Sequence, residues 1–209
     1  MRGSLTALML AGLFLVAPTL SMEQTIDARA PDVLIQDISK QVLATLRANP
    51  SIKSADPARV NALIDELISP HTDFARTTQA TLGRYWAQAT PDQRRDLERE
   101  FRNLLVLVYA GGLRNFGNQT MQFRAFRGDL NDDQVVVRTY VVNKGEPIQV
   151  DYRLYKSATG WKIFDVNVAG LWLTEAYRSQ FAPLLDRGGV TGLLKDLREK
   201  NASLARNPA

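Results

Sequence analysis

The sequence predicts an α+β fold, an antiparallel four-stranded meander with helices packed on it, and three observations carry that reading. First, QVVVRTYVV, IQVDYRLYK and WKIFDVNV are β-rich runs within residues 134–168. Second, Asn143-Lys144-Gly145-Glu146-Pro147 and Ser157-Ala158-Thr159-Gly160 separate them with residues that tight reversals favour. Third, helical patterns flank this run on both sides, so helices precede and follow the strands. Ile148, Val150, Tyr152 and Leu154 alternate with Gln149, Asp151, Arg153 and Tyr155, which gives one apolar face in need of a cover.

In chain order, Pro31–Ala48 repeats apolar residues at Leu34, Ile38, Val42 and Leu46, one helix face, and Asn49-Pro50 ends it. Asp56-Pro57 offers an N-cap and proline for a second helix through Ile68. Ser69-Pro70 starts a third, His71–Trp86, with Phe74, Thr78, Leu82 and Tyr85 inward. Thr90-Pro91-Asp92-Gln93 is a capping box. The helix it opens aligns Leu97, Phe101, Leu104, Leu105 and Val108, and stops near Ala110-Gly111-Gly112. Leu113–Thr120 reads as a loop, Met121–Arg127 as the first strand and Gly128–Asp133 as the turn after it. Beyond Gly170, helices are expected at Leu173–Leu185 and Val190–Lys200, split by Arg187-Gly188-Gly189, with a frayed tail from Asn201.

At 209 residues with 45% hydrophobic and 23% charged side chains, the chain can bury a sizeable core. It has no cysteine, which excludes disulfides, thiol nucleophiles and zinc–thiolate sites. Met1-Arg2-Gly3-Ser4 followed by an apolar run from Leu5 to Val16 suits an export leader of about residues 1–22. A single domain is then expected over 23–209. Losing that leader lowers the net charge from +4 to +3. The pI near 9.5 invites a nucleic-acid reading. Yet basic and acidic residues alternate, as in Asp92-Gln-Arg-Arg-Asp-Leu-Glu-Arg-Glu100, the pattern of a solvated helix face.

Catalytic signatures are sparse. The single histidine, His71, follows Ser69-Pro70 and reads as a surface residue near a helix start. No nucleophile elbow, zinc-protease pair or P-loop occurs. Asp129, Asp132 and Asp133 lack EF-hand spacing and read as a hairpin turn. Asp151 and Asp165 are the acids that an exported enzyme on a similar cone-shaped scaffold would bury in a pocket, to act on an apolar small molecule. What is abundant is apolar lining. Leu82, Tyr85, Phe101, Leu105, Val108 and Tyr109 on helices can face Val137, Val150 and Tyr152 on the sheet, and a helix-on-sheet sandwich suits a deep pocket.

Three segments carry a more specific signal: Leu82-Gly83-Arg84-Tyr85-Trp86, then Thr90-Pro91-Asp92-Gln93, then Tyr177-Arg178-Ser179-Gln180-Phe181. With Phe101-Arg-Asn-Leu-Leu105 and Trp161-Lys-Ile-Phe-Asp-Val166, the chain from about Pro31 to Arg198 resembles the MlaC, or toluene-tolerance, family of periplasmic phospholipid-binding proteins. Leu171-Trp172-Leu173 and Leu107 depart from the family pattern. The resemblance implies a cone-like fold enclosing an apolar cavity and a soluble periplasmic monomer without catalytic residues, cofactor or nucleic-acid partner. It implies a bound glycerophospholipid, exchanged between an outer-membrane MlaA–porin complex and an inner-membrane MCE-protein ABC transporter containing MlaD. Such exchange maintains outer-membrane lipid asymmetry, and the transporter's ATP would drive it. On that reading the nine apolar residues named above line the tail cavity, and Arg138 and Arg153 are candidate neighbours of the lipid phosphate.

Overall fold

The computed structural model describes residues 27–49, 57–114, 119–143 and 145–206; the expected leader, Asp56 and Lys144 lie outside them. Helix α1 spans Pro31–Ala48, with proline in its first turn, and α2 spans Pro57–Leu67. The expected third helix is broken into pieces. A 3-10 turn at Ser69–His71 precedes α3 (Phe74–Leu82), whose Asp73 cap accepts the backbone N–H of Arg76 at 2.8 Å. Gly83, at φ 54°, then turns the chain into a second 3-10 segment, Gly83–Gln88.

The capping box forms: the Thr90 N–H donates to Gln93 Oε1 at 3.0 Å and the Gln93 N–H to Thr90 Oγ1 at 3.2 Å. It opens α4, Pro91–Arg114. This helix continues through Gly111-Gly112, where the sequence suggested a stop; glycine weakens a helix interior but breaks it only with a left-handed backbone.

The sheet has five strands, not four, all antiparallel in the order β1-β2-β3-β4-β5. They are β1 Thr120–Phe123, β2 Gln134–Asn143, β3 Glu146–Ser157, β4 Gly160–Val168 and β5 Leu171–Trp172. Two residues are too few to show alternation, so β5 left no periodic signal. It exists because Ala169 and Gly170, both at positive φ, reverse the chain onto β4, pairing Val168 with Leu171 and Asn167 with Trp172. A bulge opposite Arg153/Leu154 skips Phe164 in the β3–β4 ladder.

Helix α5 runs from Leu173 to Arg206 with a non-helical break at Gly189, φ 59°. Its last turns replace the expected tail, because buried Asn201 donates to the Glu100 carbonyl at 2.9 Å and to its carboxylate at 3.0 Å. Three apolar clusters hold these elements. One joins α3, α4 and both halves of α5, with Phe101 meeting Tyr177 and Phe181 edge-on at 5.1 and 5.4 Å. A second packs Leu34, Ile35 and Ile38 of α1 onto Val135, Val137, Leu154 and Ile163 of the sheet. A third places Leu46 of α1 against Val60, Leu63 and Val106 of α2 and α4.

Buried Asp165 joins sheet and α5. Its Oδ2 accepts from Arg153 Nη1 at 3.0 Å and Thr174 Oγ1 at 2.7 Å. Its Oδ1 accepts the N–H groups of Val166 and Thr174, at 2.9 and 3.1 Å, so it caps the start of α5 from another strand. Replacing Asp165→Asn keeps the shape but removes the charge, and urea unfolding is expected to show a loss of about 2–4 kcal/mol.

The chain ahead of α1 is pinned as well. Asp27 bridges Gly160, its N–H donating to the Thr159 carbonyl at 3.0 Å, and its carboxylate accepts Arg29 Nη2 at 2.6 Å. The Arg29 guanidinium also reaches Asp37 of α1 at 3.1 Å. Hydrogen bonding from Arg29 holds the Asp27 carboxyl down at about 2, against partial burial that pushes it up. The ionised form therefore favours the fold, with full effect above 3.8 and loss as pH falls towards about 2. Thermal melts across that window are expected to steepen for the wild type and flatten for Asp27→Asn.

Candidate functional site

An apolar cavity of about 350 Å³ opens between α1 and the adjacent face of the sheet. Ile35, Ile38, Ser39, Val42, Leu43 and Leu46 line it from α1. Met121, Val141, Val150, Tyr152, Ile163 and Val166 form its sheet wall, and Ile68, Thr72 and Phe74 close it between α2 and α3. The sheet residues share one face because side chains alternate along each strand and Val150 opposes Val168 while Tyr152 opposes Val166.

The lining carries little polarity. The Thr72 hydroxyl is spent on the Ile68 carbonyl at 3.0 Å, and Thr139, beneath Tyr152, donates to the Val150 carbonyl at 2.6 Å. Burial pushes the Tyr152 phenol up to about 12, with a hydrogen bond to Thr139 pulling the other way and the Asp151 charge adding to the rise. A lining of this composition can shelter apolar matter from water.

Of the nine apolar residues expected to share one pocket, Val150 and Tyr152 line this cavity. Val137 is buried beside it under α1. Leu82 and Phe101 are buried in the α3–α4–α5 cluster, with Tyr85 and Leu105 packed against it. Tyr85 also donates to the Asp186 carboxylate. Val108 and Tyr109 are exposed on α4, where Val108 borders a groove shared with Leu104, Tyr177 and Leu184. Four of the six helical residues therefore belong to a separate core and the other two lie exposed on α4, and the cavity's helical wall is chiefly α1. That wall was legible in part: apolar residues at 34, 35, 38, 42, 43 and 46 make a broader face than one stripe of contact needs.

Arg138 and Arg153 stand on the sheet face turned away from the cavity, next in sequence to the inward-facing Val137 and Tyr152. Each shares that outer face with a buried acid: Asp151 opposes Arg138 and Asp165 opposes Arg153. Neither acid points into the cavity, the position an enzymic reading requires. His71 is half-buried, with Nδ1 4.0 Å from Asp27 Oδ2. Burial lowers its pKa, the Arg29 charge lowers it further, and Asp27 opposes both. Among the described residues no group of three or more His, Asp or Glu is placed to hold a metal ion, and no helix is long and apolar enough to cross a membrane.

The family model for "MlaC protein" matches residues 36–199. The chain belongs to the MlaC family. A curated relative of this MlaC-family chain, the "Intermembrane phospholipid transport system binding protein MlaC" of Haemophilus influenzae, is 23% identical over 89% of each chain. The "Toluene tolerance protein ttg2D" of Pseudomonas putida is 24% identical over 79% of this chain and 77% of its own. Among solved structures, the phospholipid-binding protein from Ralstonia solanacearum in complex with a phospholipid superposes with a TM-score of 0.82. It is 44% identical and covers 85% of this chain and 99% of its own.

The cavity's dryness can be read from Tyr152. Its phenol is expected to ionise near pH 12, against 10.0 for a free tyrosine, so it supports the fold below pH 10 and loses that effect as pH rises towards 12. An ultraviolet pH titration of Tyr152→Phe against wild type isolates that transition; a difference spectrum centred at 10 would mean a wet cavity.

Proposed function

We propose that this chain is a soluble periplasmic phospholipid carrier that holds the tails of a diacyl glycerophospholipid in the cavity between α1 and the sheet. In this reading it moves lipid between an outer-membrane MlaA–porin complex and an inner-membrane MCE-protein ABC transporter, and so helps to maintain outer-membrane lipid asymmetry. The observation that carries the reading is the apolar cavity in a chain 44% identical to a protein solved with a phospholipid.

The physics of carriage fits such a cavity. Each buried methylene is worth about 0.8 kcal/mol against water, so two chains of roughly 16 carbons give on the order of 25 kcal/mol gross. A bilayer solvates the same chains equally well. Loading and unloading can therefore be near neutral at a membrane complex, while escape into water is strongly opposed. Such exchange needs no bond-making residue and no nucleotide site in the carrier. It does need room. A cavity of about 350 Å³ lies near the lower end of the range of about 300–1,000 Å³ for ligand pockets. Two tails therefore require α1 and the sheet to part, and the α1 side chains slide on apolar neighbours with few directional bonds to break.

Mass spectrometry of organic extracts is expected to find phospholipid in stoichiometric amount with the purified wild type. Val150→Trp, which fills the cavity, is expected to cut it at least about fivefold; Leu105→Trp, in the other core, is expected to leave it near wild type as long as circular dichroism shows a folded chain. Wild-type protein free of lipid would overturn the carrier reading, and equal lipid in wild type and Val150→Trp would overturn the assignment of the cavity.

A further inference from the structure

On the far side of the sheet from the cavity lies a polar cleft of about 290 Å³, lined by Arg127, Gly128, Asp132, Gln134, Val136 and Arg138 with Arg153 at one wall. The three arginines that line it differ in their contacts. Arg153 is fixed: its ring neighbour Trp172 lies 3.7 Å beneath the guanidinium, and Nη1 bonds Asp165 at 3.0 Å and Glu175 at 3.2 Å. Those contacts occupy Nη1 and leave Nε and Nη2 as further donors. Arg127 and Arg138 have no acceptor for their guanidinium groups among the described residues.

Arg138 has a partner within reach and does not use it. Asp151 is its direct cross-strand neighbour on the same face, where opposing Cβ atoms stand about 4.5–5.5 Å apart. Asp151 is 4% exposed, and its Oδ1 accepts no hydrogen bond; only Oδ2 is engaged, by Gln149 Nε2 at 2.6 Å. A buried carboxylate oxygen without a donor is costly, and a guanidinium beside it is the ordinary remedy. Instead, Arg138 lines the cleft.

We propose that this cleft binds an oxyanion of the phosphate class, held by Arg138 and Arg127 with Arg153 as a pre-oriented wall. The Gln134 amide can donate as well, while the Asp132 carboxylate in the same cleft opposes the binding of any anion. A tetrahedral phosphate suits the fork geometry of guanidinium donors, and two converging forks can share its oxygens. Arg138 thus stands between two acceptors, the Asp151 oxygen behind it and an anion in front. The phosphate can come from solution or from an anionic lipid headgroup at a bilayer surface. Either source reaches the cleft without entering the cavity, so the site is independent of the carrier reading.

The test uses the folded chain at low ionic strength and neutral pH, titrated with sodium phosphate against sodium chloride of equal ionic strength. Arginine Nε–H and backbone amide shifts are followed by NMR. Saturable shifts are expected at 127–138 and 153 with phosphate and not with chloride. Arg138→Ala is expected to weaken that binding about tenfold and Arg127→Ala somewhat less, both on the exposed surface where folding is undisturbed. Asp151→Asn is expected to tighten it severalfold by removing a neighbouring negative charge and a competing acceptor. In parallel, flotation with phosphatidylglycerol and phosphatidylcholine vesicles separates the sources. Binding to the former alone, lost in Arg138→Ala, selects the headgroup; phosphate shifts without flotation select the free ion. Linear shifts that are equal for phosphate and chloride, together with no flotation, would overturn the proposal. So would phosphate binding unchanged in Arg127→Ala and Arg138→Ala.

Discussion

A single helix has to cover one whole face of the sheet. Five strands about 4.8 Å apart span roughly 20 Å, whereas a helix with its side chains is about 10–12 Å across. Leu34, Ile35 and Ile38 of α1 therefore cover only part of the apolar face, down to Val137 and Leu154. The strip carrying Val150, Tyr152 and Val166 is covered only in part, and the cavity is the space left over. Helices α2 and α3 close its flank with Ile68 and Phe74 and do not fill it. A well-packed interior leaves few voids larger than a water, so an apolar hollow of this size is a property of the architecture and not of loose packing.

The other helices can leave that hollow alone because they satisfy one another. Phe101, Tyr177 and Phe181 interlock in a core of their own between α4 and α5. This core meets the sheet through polar contacts as well as apolar ones: Asp165 caps α5, and Thr77 donates to the Phe164 carbonyl at 2.8 Å. The molecule thus separates a firm helical half from a half in which α1 lies on the sheet through side chains alone. On the sheet itself the two faces differ in kind, hydrocarbon towards α1 and guanidinium, carboxylate and indole groups on the other side.

Local chemistry made much of the fold legible. The capping box at Thr90, the prolines opening α1, α2 and α4 and the alternation of β3 all mark elements that form. What escaped were features decided by single backbone torsions or by distant partners. Gly83 breaks a helix that its neighbours would continue, Gly111 and Gly112 do not, and the difference lies in φ at Gly83, not in residue type. The last turns of α5 depend on Glu100, about a hundred positions away, which no window of sequence reveals. Of the sheet residues named from the sequence, Val150 and Tyr152 line the cavity, while its helical wall, α1, was legible only in part. Periodicity says that α4 has an apolar stripe, but not whether the stripe meets the sheet or α5. The aromatic residues that made α4 attractive as a pocket wall are those that α5 consumes. Alternation sets Arg138 and Arg153 on the face opposite Val150 and Tyr152, so neither lines the cavity.

At Gly160, φ is 111°, and a side-chain carbon added there would lie 2.4 Å from the Asp27 carbonyl oxygen. The strand can approach Asp27 only because that carbon is missing. Asp27 in turn grips Arg29, and Arg29 grips Asp37 on α1. The start of α1 is therefore tied to the sheet through a chain of contacts that begins with an atom the protein does without.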